Sequence, residues 1–464
     1  VKLWGGRFES GPAELFEQFS ESLSFDQRLF EADVVGSRAF GSALERVGVL
    51  SAEERASIHS AFDRMLEKGA DPAYFAGADD EDVHTFVIRK LEEEAGDVAG
   101  KIHTGRSRNE QVSTDFRLWI KKEIRAVQAR LANVMESLLE CGLRAPEALL
   151  PGYTHLRRAQ GVLWPHYCLA YFEMFARDWE RFEDAYRRAD VLPLGSGALA
   201  GSGFPFDREA MAADLGFAKI SANSLDVTAD RDFALDFLYA ASTAALHVSR
   251  IAEDFILYSS EEFGYLELGD EVTTGSSLMP QKRNPDSLEL VRGKTGRVVG
   301  SLNALMVIVK GLPLAYNRDM QEDKPPVFDA ADTINGVLDV LALTIDTATL
   351  KPAATEQAAD DSWTSATALA EFLARSGVPF HRAHQVVGGL VLESAKRGKK
   401  PADWTLAELQ EIAPEFTAEA ADLLSARRAL SNHTPPGGTA PERVAEAVEA
   451  ARARLAILRG NSTA

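Results

Sequence analysis

Between Val112 and Leu138 the apolar residues Val112, Phe116, Ile120, Ile124, Val127, Leu131, Val134 and Leu138 recur at steps of four, four, four, three, four, three and four. A spacing near 3.5 residues holds one stripe on one helix face over the whole segment, so it predicts a long helix that buries the stripe against neighbours. The rhythm returns from about Val162 to Ala189, and again from Asp230 to Tyr258 through Leu238, Ala241, Ala245, Val248, Ala252 and Phe255. It recurs at Leu288, Val291, Thr295, Val298, Leu302, Leu305 and Val309, and once more roughly from Val327 to Leu350. Few runs alternate as a strand requires. The expected fold is therefore mainly α, with a long central helix bundle.

Five such stripes outnumber the neighbours one chain can supply, which points to a homo-oligomer that completes their burial between subunits. The flanks read differently. Residues 1–109 and 360–464 carry shorter helical patterns broken by clusters such as GADPAYFAGADDED and NHTPPGGTAPE. The expected subunit has three domains: 1–109, a central bundle over 110–359, and 360–464.

Charge narrows the function classes. With a net charge of −20 the chain lacks the basic surface that sequence-independent binding to nucleic acid or an anionic membrane needs. The opening VKLWGGRF has no basic stretch followed by an apolar run, and no 18-residue apolar stretch occurs, so the cytoplasm is the expected compartment. Cys141 and Cys168 belong to no CxxC or Cys/His cluster and read as buried core thiols. His84, in the acidic run DDEDVHT, reads as part of a solvated turn, because the carboxylates around it lack metal-ligand spacing. No metal and no cofactor are expected. The glycine-rich stretch LPLGSGALAGSG (192–203) precedes no GK[ST] and reads as a loop of close backbone approach.

Polar residues concentrate in three segments at helix starts or in connecting loops, where functional groups sit on rigid scaffolds. KIHTGRSRNEQ (101–111) offers Arg106 and Arg108 for carboxylates and Thr104, Ser107 and Asn109 for hydrogen bonds. PGYTHLRRAQ (151–160) places Thr154 and His155 after a Pro-Gly turn and before a helix. GSSLMPQKRNPDSLELVRGK (275–294) is a loop without hydrophobic periodicity that runs into a periodic helix.

The last segment resembles the signature GSSxMPxKxNP of the fumarase, aspartase and argininosuccinate lyase superfamily, and matches it at eight fixed positions. LWGGRF (3–8), SESLSFDQRL (20–29), HTGRSRN (103–109), PGYTHL (151–156) and LPLAYNRDMQEDK (312–324) together resemble the argininosuccinate lyase branch. The resemblance implies a homotetramer with active sites shared between subunits. It also implies elimination of a guanidino group from argininosuccinate, giving arginine and fumarate. The alternatives are another fumarate-releasing lyase and a non-catalytic crystallin-type relative.

That chemistry leaves charge on a carboxylate beside the deprotonated carbon, and such an aci-carboxylate needs fixed cations and donors. The resemblance assigns Lys282 and Asn284 to supply them, and His155 and Ser276 to form the acid–base pair with Glu289 supporting His155. Either member of the pair can be the base: Ser276 needs loop backbone donors or Lys282 to support its ionisation, and His155 needs Glu289. Substrate contacts fall by resemblance on Ser22, Asn109, Thr154, Tyr316, Gln321 and Lys324, with Arg108 on a fumarate carboxylate and Asp26 and Asp82 in the same pocket. The chain departs from the family at Arg157 (usually Gln), Gly161 (usually Pro) and Arg283 (usually Lys). Arg157 would lower the pKa of His155 if its guanidinium pointed inward.

Overall fold

The computed structural model describes residues 11–462, so the whole LWGGRF segment (3–8) lies outside the described residues. The chain is predominantly α-helical. The long helices are Arg108–Leu143, Trp164–Ala189, Asp232–Ser259, Asp286–Val309 and Lys324–Thr347. In the first, every stripe residue from Phe116 to Leu138 is fully buried. On Asp232–Ser259 the whole stripe from Leu238 to Phe255 is also buried, as 3.5-residue spacing demands. No helix among the described residues is long and apolar enough to cross a membrane.

The chain divides into two compact units. One comprises residues 1–127, 180–243 and 296–334, the other 128–179, 244–295 and 335–464, so each long helix contributes a segment to each. In the first unit, helices Phe30–Arg46, Ala52–Gly69 and Val83–Ala95 pack around Phe30, Phe62 and Phe86. Its helical segments meet at Phe116 and Phe233, ring centres 5.6 Å apart, and at Trp119 and Phe328, 4.6 Å apart. In the second unit Leu131, Val134, Leu138, Phe172, Phe175, Val248 and Phe255 form the core. A separate cluster of Leu369, Phe372, Leu373, Leu390, Trp404, Leu409 and Phe416 organises its C-terminal helices. Cys141 and Cys168 are both buried free thiols, as read from the sequence.

Three expectations need correction. The helix anticipated from Val162 begins at Trp164, with Pro165 in its first turn, where the missing N–H costs nothing. The residues before it form an antiparallel hairpin, Leu149–Thr154 paired with Arg157–Leu163, so His155 sits at a hairpin tip rather than just ahead of a helix. His84 is no part of a solvated turn: it is 1% exposed, in the first turn of Val83–Ala95, with Nδ1 2.7 Å from Asp33 Oδ2. Asp82 caps that helix by accepting from Thr85 N at 2.8 Å, which turns the next residues inward. Among the described residues no His/Cys/Asp/Glu group could hold a metal ion.

The glycine stretch does make a close approach. Gly195 N donates to the buried Glu110 Oε2 at 2.6 Å, and a Cβ on Gly197 would lie 2.6 Å from Gly201 O. Burial raises the Glu110 pKa, while backbone N–H groups of Ser107, Gly197 and Gly195 pull it back.

Candidate active site

In the first unit the expected substrate contacts gather around the start of Val83–Ala95. Ser22 Oγ donates to Asp26 Oδ2 at 2.7 Å, and Val83 N donates to Asp26 Oδ1 at 3.0 Å. Arg108, the first residue of its helix, lies with Nη1 3.2 Å from Asp82 Oδ2 and 3.4 Å from Glu81 Oε2, and Nη2 donates to Thr85 Oγ1 at 3.0 Å. Glu81 also takes Arg318 Nη1 at 2.9 Å. Arg318 Nη2 and Gln321 Nε2 both donate to Ser20 O, at 2.9 and 3.2 Å. Lys324 is buried, with Nζ 2.9 Å from Asp323 Oδ1 and 5.7 Å from the centre of the Phe116 ring. Asp323 also accepts from Arg231 Nε, and neither side chain of that pair meets solvent.

Two assigned residues stand apart from this network. Asn109 Nδ2 reaches Ala198 O in the glycine loop at 3.4 Å. Tyr316 is half-buried and follows Ala315, whose φ of +67° turns the chain sharply where a residue with a Cβ rarely goes. Sequence reading missed Glu81, Thr85 and Arg318. The Asp82-x-x-Thr85 spacing before an apolar run was a usable helix-start signal, whereas Glu81 was hidden in an acidic run that looks solvated.

Burial, with the neighbouring Asp82 charge next in weight, pushes the Asp26 carboxyl up to about 7, and Ser22, Lys324 and Val83 N offset only part of that. Between about pH 4 and about pH 7 the folded chain therefore holds a proton that the unfolded chain has lost, so stability drains away as pH rises through this window. Asp26→Asn cannot ionise, yet keeps an acceptor for Val83 N. Its melting advantage over the parent is expected to widen from pH 5 to pH 8, on the order of 2 kcal/mol. A gap that stays constant across that range would show that Asp26 titrates normally.

The second unit holds the proposed reacting groups. His155 and Leu156 are the two central residues of the hairpin turn, with φ of +55° and +56°. Such left-handed turns suit the strand twist but favour Asn and Gly, and each residue with a Cβ stores about 1–3 kcal/mol of strain there. Thr154, His155, Leu156 and Arg157 are all exposed, so the Arg157 guanidinium is not turned inward. In the signature loop Thr274 pairs with Asn284 and Gly275 with Arg283, closing residues 276–282 into a ring. Arg283 secures its base, donating from Nη2 to Leu268 O at 2.8 Å and pairing with Asp270 at 2.7 Å.

Inside that ring Ser276 Oγ accepts from Leu278 N at 3.2 Å and Met279 N at 3.1 Å. Two N–H groups aimed at one hydroxyl oxygen stabilise negative charge on it. Lys282 is exposed on the same loop, and Glu289 is exposed on the first turns of Asp286–Val309. Among the described residues no hydrogen bond or ion pair joins His155 to Glu289 within one chain. Leu278 is 84% exposed, so the loop projects an apolar tip with nothing in its own subunit to cover it.

Residues 6–300 match a family described as lyase, and residues 363–431 match one described as argininosuccinate lyase C-terminal. An argininosuccinate lyase of Solibacter usitatus (strain Ellin6076) is 62% identical over 458 residues, covering 99% of this chain and all of that one. This chain belongs to the argininosuccinate lyase family. Beyond that family, an EDDS lyase solved with formate superposes with a TM-score of 0.85 at 25% identity, over 98% of this chain and 93% of that one. A class II fumarase from Schistosoma mansoni shares the fold, with a TM-score of 0.74 at 16% identity over 91% and 93% of the two chains.

Proposed function

We propose that this chain eliminates the guanidino group of argininosuccinate, releasing arginine and fumarate, as a carbon–nitrogen lyase of arginine biosynthesis. The single observation that carries the reading is the 62% identity that runs the length of the chain. The first-unit network suits such a substrate, because it mixes acceptors for cationic nitrogen at Asp26, Asp82 and Ser20 O with cations for carboxylates at Arg108 and Lys324.

In the proposed mechanism Ser276 takes the proton from the carbon beside the carboxylate, and the electron pair moves into that carboxylate. Lys282 and Asn284 steady the resulting aci-carboxylate. The carbon–nitrogen bond then breaks, and His155, supported by Glu289, returns a proton to the departing nitrogen. The N–H groups of Leu278 and Met279 favour Ser276 as the base, because they offset the cost of its ionisation. Ser22, Asp26, Asp82, Asn109, Thr154, Tyr316, Gln321 and Lys324 bind the remainder of the substrate, with Arg108 on a fumarate carboxylate.

The same reading makes the protein a cytoplasmic homotetramer whose sites draw on several subunits, each subunit built of domains 1–109, 110–359 and 360–464. Supporting this, the long helices present second apolar faces: Tyr239 and Leu246 on one, Leu290, Met306 and Val307 on another, and Val340 and Leu343 on a third are exposed. A Cβ added at Gly293, Gly296 or Gly300 would meet no atom within 4 Å, leaving room for the close approach of another helix. Incubation with argininosuccinate is expected to raise fumarate absorbance. Turnover of aspartate or adenylosuccinate in its place would reject the assignment.

A further inference from the structure

The turn that carries His155 is held in an unfavourable backbone conformation, yet nothing at its tip holds it. Among the described residues the side chains of Thr154, His155, Leu156 and Arg157 make no hydrogen bond or ion pair. Anchors lie one residue to either side, at Tyr153 and at Arg158. The strand register slips between Pro151 and Tyr153, at Gly152, where a Cβ would come within 2.9 Å of Gln160 O. Such a bulge re-aims the residues that follow it. It sends the Tyr153 ring among Tyr258, Phe263 and Tyr265, with ring centres 6.2 Å away from Tyr258 and 5.6 Å from Phe263. There the Tyr153 and Tyr265 hydroxyl oxygens lie 2.7 Å apart.

Tyr265 is itself fixed by the main chain on both sides. Its N–H donates to Tyr258 O at 2.8 Å, its carbonyl accepts from Lys351 N at 2.8 Å, and the next residue, Leu266, pairs with Leu350. Hence a rigid frame reaches the hairpin through this hydroxyl pair, two residues before His155, while across the ladder Arg158, the register partner of Tyr153, donates from Nη1 to Ala358 O at 2.9 Å. We infer that Tyr265, acting through the Tyr153 hydroxyl, is a positioning residue that holds the His155 turn in register for proton transfer. The inference rests on His155 being the acid of the proposed reaction.

Tyr265→Phe keeps the ring and its packing and removes only the hydroxyl. It is expected to lower kcat about ten-fold with KM little changed, because a small displacement of a reacting group costs rate before it costs binding. The limb of the kcat–pH profile that follows His155 is expected to move with it, while the oligomer mass stays that of the parent. Tyr153→Phe is expected to do the same, and the double variant to be no slower than either single one, since the two hydroxyls act as one unit. A parent-like kcat and pH profile in both single variants, or effects of the two that simply multiply, would overturn the inference. His155→Asn separates the two levels of argument. If it is inactive while Tyr265→Phe is unaffected, only the positioning role falls; if it turns over normally, the acid assignment falls as well.

Discussion

Ser276→Ala is expected to lower kcat by about a thousand-fold or more, with substrate binding and folding nearly unchanged. The loss of a positioned general base costs about 10²–10⁴ in rate, and here the two N–H groups that support its charge would be left aimed at a methyl group. Ser276 is only partly buried and its hydroxyl bonds to N–H groups of its own loop, so a stability defect is not part of the expectation. Presteady-state trapping of the Cβ proton in deuterated water offers the sharper check: the variant is expected to lose exchange of that proton along with turnover. Retained exchange would move the base role to His155. If the sites are shared between subunits, co-assembly of Ser276→Ala chains with His155→Asn chains is expected to recover activity that neither has alone. Mixed assemblies without turnover would argue that both groups come from one chain.

Arg231→Ala is expected to produce the largest loss of stability, about 3–5 kcal/mol, because it strands the carboxylate of Asp323 in the protein interior. Arg231 and Asp323 are both buried, and Asp323 is the partner of Lys324. With the guanidinium gone, Asp323 keeps only Lys324 for compensation and draws its ammonium away from substrate. The variant is therefore expected to combine a lower melting temperature with a raised KM for argininosuccinate. The two readouts separate the possibilities. A melting temperature within a degree of the parent would show that water or Lys324 already neutralises Asp323. A large drop with unchanged KM would remove Lys324 from the binding machinery.

Much of this molecule is legible in its sequence, and the reasons are specific. Phe116, Ile120, Ile124 and Val127 announce their helix because a buried stripe leaves no choice of residue class at those positions. The signature loop announces itself because eight of its residues match one pattern at fixed spacing. The hairpin of Leu149–Leu163 was illegible for the opposite reason: Arg157, Arg158 and Gln160 make a polar strand that buries little, and its pairing partner is fixed by Gly152 and the turn rather than by an apolar pattern. His84 misled because composition reports the average fate of an acidic run. Capping by Asp82 decided the fate of that one imidazole, and its partner Asp33 lies 51 residues away. The Arg231–Asp323 pair is 92 residues apart in sequence, beyond the reach of any local pattern.

The signature loop is fastened at Thr274–Asn284 and Gly275–Arg283 and braced between them by Leu278 N and Met279 N on Ser276 Oγ and by Lys282 N on Met279 O, with the Leu278 side chain 84% exposed. Ser276 is thereby tied to the backbone of the tip, so whatever moves the tip moves the hydroxyl with it. Seven residues between two paired ends leave the hydroxyl a short leash, and its reach is set by where the two clasps stand.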